Sequence, residues 1–551
     1  GIAHEEVIAA TLTESGIEGL FKWNGSDLSK EVALDTVQGI YVAPASDPKG
    51  TSGAWVRQFE GPIQAHVFGR DSAGLQAMFN LLCAPDSASV HKKIVFSGGY
   101  SLDCTVTIPD PSNLVVDAQG AKFVTTADIL MFDLNGRADP TFTDNESRQN
   151  FHWIGGSFYC THSEPAKATA FRAFGLRYAT IAPQLMEGWY HCVQLGAKDT
   201  IRISDFKSFD NVMPVIAPPW SSIGGLLLIE ISRIHFSHAR SSAPAVKIYG
   251  SFSDSSIKYN SYNLGTDADH EAVIDLICAM ILPCVSVSGS FIVGETVTGA
   301  SSGAAATVVE LYEHAFPFAL SQPMQYLVLG DKSAADFIAG EIVRGARGTA
   351  RLSSSTIRKA QRPHFQTVQL GSPKEHWEAG STANGIVGIR VRDLTKRGTS
   401  IQNIVLDVGS LGINSAKGKK PTVGVLFEGV RNSTITGRFA QTDQALSVPL
   451  RFDQQCANIK ILGSAIFSSG HIDLNGMRRS DLDLSDFNAY PEAQAIEGLA
   501  SLEVPPGATP PQHFDMSTVL AEFATVGGFP PRGYLLNIRM KGAKVSSADD
   551  V

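Results

Sequence analysis

Short strands of alternating apolar and polar residues follow one another from residue 150 to residue 490, and most end in Gly, Asn, Asp or Ser. The units recur at irregular intervals of roughly twenty to thirty residues, the range of repeat architectures. Examples are Phe-His-Trp-Ile-Gly-Gly at 151–156, Ile-Arg-Ile-Ser-Asp-Phe at 201–206, Ser-Ile-Lys-Tyr-Asn at 256–260, Ser-Thr-Ile-Thr-Gly at 433–437 and Asn-Ile-Lys-Ile-Leu-Gly at 458–463. One such unit cannot bury its apolar side alone, so successive units must stack. The pattern predicts an all-β chain that forms a right-handed, single-stranded parallel β-helix, a solenoid.

The same pattern divides the chain into segments. Residues 1–69 read as a leader, 70–284 as the first part of the solenoid, 357–503 as its second part, and 504–551 as a Pro-rich linker with a small C-terminal element. Apolar residues at helical spacing predict a capping helix from Ser72 to Ala84, which Pro85 ends. The segments Ile-Val-Phe-Ser-Gly-Gly-Tyr at 94–100, Val-Thr-Ile-Pro at 106–109 and Leu-Val-Val-Asp at 114–117 predict the first coil.

An insertion at 285–356 interrupts the solenoid and contains its own repeat. The segment Phe-Ile-Val-Gly-Glu-Thr-Val-Thr-Gly-Ala at 291–300 recurs as Phe-Ile-Ala-Gly-Glu-Ile-Val-Arg-Gly-Ala at 337–346, an offset of 46 residues (341 minus 295). Two copies predict a small β domain, in which Glu295 and Glu341 are turn residues rather than catalysts. Its role stays open between carbohydrate binding and an inert spacer or packing module.

Composition excludes several classes of function. The chain has 551 residues with 51 Gly and 27 Pro, and its 45 basic and 54 acidic residues give a net charge of -9. No cluster of Lys and Arg is long enough to follow a phosphate backbone, so nucleic acid is not an expected partner. The longest apolar stretch, at 276–285, is too short to span a membrane, and residues 1–10 lack signal-peptide architecture. The seven scattered cysteines and the lack of a calcium-loop motif predict no metal and no cofactor.

The leader resembles the neck of bacteriophage tailspikes. The resemblance rests on Gly-Leu-Phe-Lys-Trp at 19–23, Asp35, Gly-Ile-Tyr-Val at 39–42, Gly-Ala-Trp-Val-Arg-Gln-Phe at 53–59 and Ala-His-Val-Phe-Gly at 65–69. Residues 70–120 resemble the opening of a pectate-lyase-like β-helix, with a helix, a Gly-Gly-Tyr strand and an Ile-Pro turn. The usual Gly-Asp-Gly stretch is reduced here to Gly69-Arg70-Asp71.

This resemblance implies a homotrimer located in the phage tail, where it acts outside the host cell at the cell surface. It implies attachment to the baseplate or tail through a missing or adjacent N-terminal segment. It also implies a capsule depolymerase that binds and cleaves a bacterial surface polysaccharide: capsule, exopolysaccharide or O-antigen. A secreted pectinase-type enzyme is disfavoured because the Asn-Thr-Asp, Gly-His-Gly and Arg-Ile-Lys motifs of polygalacturonases are absent from the sequence.

Catalytic groups on a solenoid must lie at outward positions of neighbouring coils. Matching Leu185, Phe209 and Phe236 as the last inward residue before a turn brings Glu187, Asp210 and His238 to nearly corresponding places on three coils. Parallel strands are about 4.8 Å apart. Carboxyls on adjacent coils therefore approach the roughly 5 to 5.5 Å of retaining glycosidases, and those two coils apart suit the roughly 6.5 to 9.5 Å of inverting ones. Glu187 and Asp210 form the predicted acid pair, and Glu230 is a third candidate.

Several alternatives remain at this point. His238 or His191 would support a lyase as the base that removes the proton beside a uronate carboxyl. Hydrolysis is preferred because carboxylates outnumber His and Lys among the candidates, whereas a non-catalytic receptor-binding spike needs no acid pair. Acids are also ordinary turn residues between solenoid strands. The expected substrate-binding residues are Trp189, Tyr190, His191, Trp220 and His238, and a second line of acids that could face a neighbouring subunit comprises Asp407, Asp443, Asp453 and Asp473.

Overall fold

The structure is a computed structural model. It describes residues 9–13, 18–83, 92–134, 148–196, 199–219, 226–239, 241, 243–263, 272–313, 325–353, 361–371, 376–381, 387–415, 422–440, 447–462, 466–467 and 472–484. The predicted linker and C-terminal element at 504–551 therefore lie outside the described residues. Among the described residues, no helix has the length and apolar character needed to cross a bilayer.

Most strands belong to three lines in which each strand pairs in parallel with the next. Numbered in chain order, the first line contains β5 (Ile63–Gln64), β6 (Lys92–Val95), β9 (Leu114–Asp117), β13 (His152–Ile154), β16 (Leu176–Ala182), β19 (Asp199–Ser204), β22 (Leu226–Ser232), β25 (Phe252–Lys258), β34 (Phe365–Leu370), β37 (Ile401–Ser415), β39 (Val430–Ala440), β41 (Ala457–Ile461) and β43 (Leu482–Asp483). The short β12 (Arg148–Gln149) also pairs with β16.

The second line contains β7 (Gly98–Ser101), β10 (Ala121–Thr125), β14 (Ser157–Cys160), β17 (Leu185–Glu187), β20 (Lys207–Asn211), β23 (His235–Ala239), β26 (Ser261–Asn263), β35 (His376–Ser381), the C-terminal parts of β37 and β39, and β42 (Ile466–Phe467). The third line contains β8 (Val106–Thr107), β11 (Leu130–Leu134), β15 (Thr169–Phe174), β18 (His191–Gly196), β21 (Val215–Ala217), β24 (Val246–Tyr249), β27 (Ile274–Cys278), β36 (Val387–Asp393), β38 (Thr422–Glu428) and β40 (Ser447–Phe452).

The chain visits the three lines in order and then returns to the first, as β16, β17, β18 and β19 show. The inward side chains form a single apolar cluster that begins at Ile40 and continues to Leu482. Aromatic rings stack within it, with Phe123 and Phe158 on adjacent strands 4.7 Å apart between ring centroids. The predictions of an all-β chain and of parallel strands are confirmed.

The described residues include the α-helices α1 (Ser29–Leu34) and α2 (Ser72–Leu82) and 3-10 helices at Ala65–Phe68 and Arg479–Asp481. Helix α2 begins at the predicted residue because the Asp71 carboxylate accepts the backbone N–H of Gly74 at 2.8 Å, an N-cap. It ends at Leu82, two residues earlier than predicted. Six of its residues, together with Ser72 itself, are buried against the first coil.

The leader forms a separate antiparallel sheet of β1 (Ala9–Leu12), β2 (Gly19–Asn24), β3 (Tyr41–Val42) and β4 (Ala54–Arg57). Buried Asp35 accepts the backbone N–H groups of Gly39, Ile40 and Tyr41. Arg57 is also buried, donates to the Gly39 carbonyl at 2.7 Å and lies over the Phe21 ring. The motifs that carry the tailspike resemblance therefore converge on one polar centre.

The repeat-containing segment forms a closed antiparallel barrel of β28 (Met280–Gly289), β29 (Thr296–Gly299), β30 (Ala305–Glu313), β31 (Gln325–Gly330), β32 (Ile342–Arg344) and β33 (Gly348–Leu352). Glu295 accepts the N–H groups of Ile292 and Ala346, and Glu341 accepts that of Ile338 and those of the turn after β29. Both acids thus bridge their own turn to a turn of the other copy, which confirms the prediction that they are turn residues.

Candidate functional site

The second line presents an outward row of three large side chains on adjacent strands. Tyr159 of β14 lies directly opposite Glu187 of β17, and Glu187 lies directly opposite Phe209 of β20. All three side chains are half-buried. Because parallel strands are about 4.8 Å apart, the strands that carry the two rings are about 9.6 Å apart, with the strand of Glu187 between them. We call Tyr159, Glu187 and Phe209 the ring–acid row.

A second outward row runs beside the first, two residues earlier on each strand. It contains Lys122, Ser157, Leu185, Lys207, His235 and Ser261, which are opposed strand by strand. Lys122, Lys207 and His235 are exposed. The Lys122 ammonium lies 4.7 Å from the centroid of the Tyr159 ring, and that of Lys207 lies 5.1 Å from the Phe209 ring. The open face therefore combines aromatic surface, one carboxylate, two ammonium groups and an imidazole.

The predicted alignment of the coils is wrong by one residue in two of three places. The inward residues are Met186, Ser208 and Phe236, which are buried and mutually opposed. Phe209, predicted to point inward, points outward instead, because Ser208 takes the interior position. The Asn211 amide donates to the Ser208 hydroxyl at 2.8 Å and satisfies this buried polar group. The prediction of the inward residue of β20 from hydrophobicity alone was therefore wrong.

This register separates the predicted acid pair. Glu187 faces Phe209, and Asp210 is the next residue along β20, where its backbone is left-handed with φ of 53°. Gly188, one position after Glu187, also has a left-handed backbone, with φ of 79°. Gly188 and Asp210, which follow Glu187 and Phe209 along the chain, form a column beside the ring–acid row that we call the turn column. The carboxylates of Glu187 and Asp210 are therefore diagonal neighbours rather than directly opposed.

Two of the predicted binding residues lie in the interior. Trp189 is 0% exposed, and its indole N–H donates to the Phe158 carbonyl at 3.1 Å. His191 is 5% exposed, with Nδ1 at 2.8 Å from the Met213 carbonyl, and burial lowers the pKa of its imidazole to about 4. Neither side chain lines the open face, because Trp189 is part of the apolar interior and His191 is buried beside Met213 at the third line. The proposed binding role of Trp189 and His191 is therefore corrected to a structural one.

Tyr190 lies where the barrel packs on the third line. Residues of the barrel and of the outer side of this line form one apolar cluster, comprising Phe174, Ile216, Tyr249, Ile277, Ala279, Ile281, Tyr326 and Val328. The Tyr249 hydroxyl donates to the Glu310 carboxylate at 2.6 Å. Burial and the nearby Glu310 charge raise the pKa values of Tyr190 and Tyr312. We call this contact the barrel seam; its polar part comprises Tyr190, Tyr249, Glu310 and Tyr312. The sequence did not predict it.

Glu230 lies on the first line, away from the ring–acid row. Its carboxylate accepts the Ser232 hydroxyl at 2.5 Å and lies 3.7 Å from Arg202 and 3.9 Å from Arg233. Arg233 in turn pairs with Asp205. Glu230 therefore belongs to a surface ion-pair network and is not opposed to Glu187.

The other predicted residues are placed as follows. Trp220 and Asp443 lie outside the described residues, as does the side chain of His238, whose backbone is part of β23. Asp453 accepts three backbone N–H groups, and Asp473 pairs with Arg451 at 2.7 Å. Asp407 accepts the N–H of Gly409 at 3.1 Å. Asp407, Asp453 and Asp473, predicted as a further set of acids that face a neighbouring subunit, therefore serve turns and an ion pair.

The comparisons with known proteins give no family. No model of a known protein family matches the chain, and no curated protein sequence matches it. Among the described residues, no group of three or more His, Cys, Asp or Glu side chains has the arrangement of a metal site. The site must therefore be interpreted from its own geometry.

Proposed function

We propose that this protein is a phage tailspike that binds and depolymerises a bacterial surface polysaccharide on a right-handed parallel β-helix. Three lines of parallel strands visited in a fixed order, with one continuous interior, support the solenoid. The leader motifs that resemble a tailspike neck support the assignment to a phage tail, and with it a homotrimer that acts at the host surface. Capsule, exopolysaccharide and O-antigen are the polymers of this kind.

The ring–acid row carries the proposal. Flat aromatic side chains suit the C–H faces of sugar rings, and Tyr159 and Phe209 offer two such surfaces on strands about 9.6 Å apart. Glu187 is held between them at the centre of the stretch that a bound polymer would cover. In that position it is the group best placed to transfer a proton to or from a glycosidic bond.

Hydrolysis by two carboxylates needs a partner for Glu187. Asp210 is the nearest predicted candidate along the chain, in the turn column beside the ring–acid row. Elimination would instead use Lys207 and His235 on the same face to neutralise and deprotonate an acidic sugar. We retain hydrolysis as the proposed reaction and β-elimination as its competitor, because the released products distinguish them directly.

One observation favours a second candidate, a receptor-binding spike that does not cleave. The register places rings, rather than a second carboxylate, directly opposite Glu187 on both sides. A face of this composition binds a polymer whether or not the bond is cut.

The test uses purified protein on lawns of diverse encapsulated bacteria. Translucent haloes identify a cleaved polymer, and the released oligosaccharides are then assayed for reducing ends and for ultraviolet absorbance. Reducing ends without absorbance indicate a hydrolase, whereas new absorbance indicates an unsaturated uronate and a lyase. We expect Glu187→Gln to abolish the halo and the exposed leader variant Glu60→Gln to retain it.

Three results would refute parts of this proposal. Full activity of Glu187→Gln would remove Glu187 from the chemistry. Binding to cells without a halo for the unmodified protein would establish the non-catalytic spike, and neither binding nor haloes on any strain would contradict the polysaccharide function itself.

A further inference from the structure

The way in which lysines are held beside the ring–acid row identifies the charge of the polymer. Lys122 and Lys207 occupy the same outward row, three strands apart, which corresponds to about 14 Å. Each ammonium lies over an aromatic ring of the neighbouring row. Among the described residues, neither lysine forms an ion pair.

A ring orients a lysine without cancelling its charge. A carboxylate partner would neutralise the ammonium, whereas a π face attracts it and leaves its full positive charge available to a ligand. Elsewhere on the surface the chain does use carboxylates to hold basic groups, as Asp205 does for Arg233. The lysines beside Glu187 are therefore positioned yet still able to meet an anion.

His235 extends this row on the strand after Lys207. It is exposed, and the pKa of its imidazole is lowered by partial burial and by the charge of Lys207. The positive charge of the row therefore comes from Lys122 and Lys207, on a protein whose net charge is -9. Such a local field on an acidic protein attracts a specific anionic ligand without attracting nucleic acid in general.

We propose that the polymer bound at the ring–acid row is an acidic polysaccharide whose carboxylate groups are recognised by Lys122 and Lys207. This inference rests on the proposed polysaccharide function and narrows its substrate class. The sugar rings lie over Tyr159 and Phe209, and carboxylates on one edge of the polymer face the two ammonium groups. A neutral polymer would leave both lysines without a role in binding.

The experiment measures binding to the capsular polysaccharide of a strain that the protein clears or coats. Every variant carries Glu187→Gln so that the polymer stays intact. The probes are the purified polysaccharide and the same polysaccharide after its carboxyl groups have been reduced to alcohols. Variants are Lys122→Gln, Lys207→Gln and both together, and the matched control is Lys258→Gln, a lysine that lies over Tyr259 on the first line.

We expect the double variant to bind the native polymer about tenfold more weakly at low salt, since two solvent-exposed charge contacts are lost. Reduction of the polymer should weaken its binding to the parent by a similar factor, and the two changes combined should weaken binding no further. The control should bind as the parent does. Thermal midpoints equal to that of the parent would show that the variants are folded.

Three outcomes would overturn the inference and leave the proposed function standing. These are a cleared polymer that contains no carboxylate, equal affinity of the double variant and the parent, or a loss in the Lys258 control as large as in the double variant. A polymer charged only by phosphate or sulfate would also refute the carboxylate assignment. Failure of the proposed function looks different, because then no polysaccharide binds the parent at all.

Discussion

Replacement of Asp275 by Asn should be among the most destabilising conservative changes in the chain. Asp275 lies on β27 of the third line, and its side chain is 0% exposed. Arg390 donates to both carboxylate oxygens, at 3.0 and 2.8 Å, and Arg392 donates to one at 2.8 Å. The side chains of Arg390 and Arg392 are only 13% and 21% exposed. Asp275 therefore contacts two largely buried positive charges directly, and Glu428 on the next strand interacts with both of them.

The magnitude follows from that burial. Removing one member of a buried ion pair costs about 3 to 5 kcal/mol, and here Arg390 and Arg392 would lose the buried carboxylate that they contact directly. Unfolding entropies of about 2.1 cal/mol/K per residue give roughly 1.2 kcal/mol/K for a chain of this length. The Asp275→Asn substitution should therefore lower the thermal midpoint by about 3 to 4 °C.

The matched control is Asp473→Asn. Asp473 also pairs with an arginine of the third line, Arg451, at 2.7 Å, but the two side chains are 25% and 28% exposed. Pairs that water reaches contribute about 0 to 1 kcal/mol, so this variant should lose less than about 1 °C. Thermal unfolding at one scan rate, followed by circular dichroism, compares both variants with the parent. Equal losses would refute the argument that burial sets the size of the effect.

Three further predictions concern other parts of the fold. Tyr249→Phe removes the donor to the Glu310 carboxylate at the barrel seam and should cost about 1 to 3 kcal/mol, seen as faster hydrogen exchange in the barrel strands. Leu228 is left-handed with φ of 54° and half exposed, so Leu228→Asn should raise the free energy of unfolding by about 1 kcal/mol in denaturant titrations, whereas Leu227→Asn, at an exposed neighbour, should not. Burial lowers the pKa of His191 to about 4 in the folded protein, whereas its ordinary value of 6.5 applies in the unfolded chain. Between pH 4 and 6.5 the unfolded chain therefore binds more protons, and the free energy of unfolding falls as the pH is lowered from 6.5 to 4. His191→Asn should remove about 3 kcal/mol of that loss in denaturation measured at each pH, and an unchanged pH profile would contradict this assignment.

The left-handed position of Leu228 belongs to a column that extends along the first line. Tyr178, Thr200, Leu228, Asp254, Thr367, Asn403, Asn432 and Asn458 occupy equivalent positions on successive strands, and all have positive φ. Asn tolerates this conformation, and Asn458 donates to Asn432 at 2.8 Å within the column. Leu and Thr do not share that tolerance, which is why the stability prediction is made at Leu228.

The parallel strands could be predicted from the sequence because alternation within each strand is a local signal. The same signal fails where a small polar residue faces inward, as Ser208 does, since the interior partner that satisfies it is not visible in the local pattern. Trp189 illustrates a second limit. Its position next to Glu187 suggested a binding surface, yet the corner that follows β17 turns the indole into the core.

The barrel seam could not be predicted for a different reason. Tyr249 and Glu310 are 61 residues apart and meet only because the closed barrel packs on the third line. Neither residue has a distinctive neighbourhood in the sequence. The turn roles of Glu295 and Glu341, by contrast, were predictable because a repeat with an acid at the same place in both copies is a property of the sequence itself.

The register also limits the chemistry that the ring–acid row can perform. In a stack of parallel strands, each outward column holds one side chain per strand spacing of about 4.8 Å. Tyr159, Glu187 and Phe209 fill three successive places, so a second carboxylate within one spacing of Glu187 in that column would have to replace a ring. A two-carboxylate mechanism must therefore draw its second acid from the adjacent turn column, where Asp210 lies, or from another chain. The row that contains Lys122 and Lys207, on the other side, offers no carboxylate. A reaction that requires two acids from one chain therefore needs the scissile bond to face the edge of the ring–acid row where Asp210 lies.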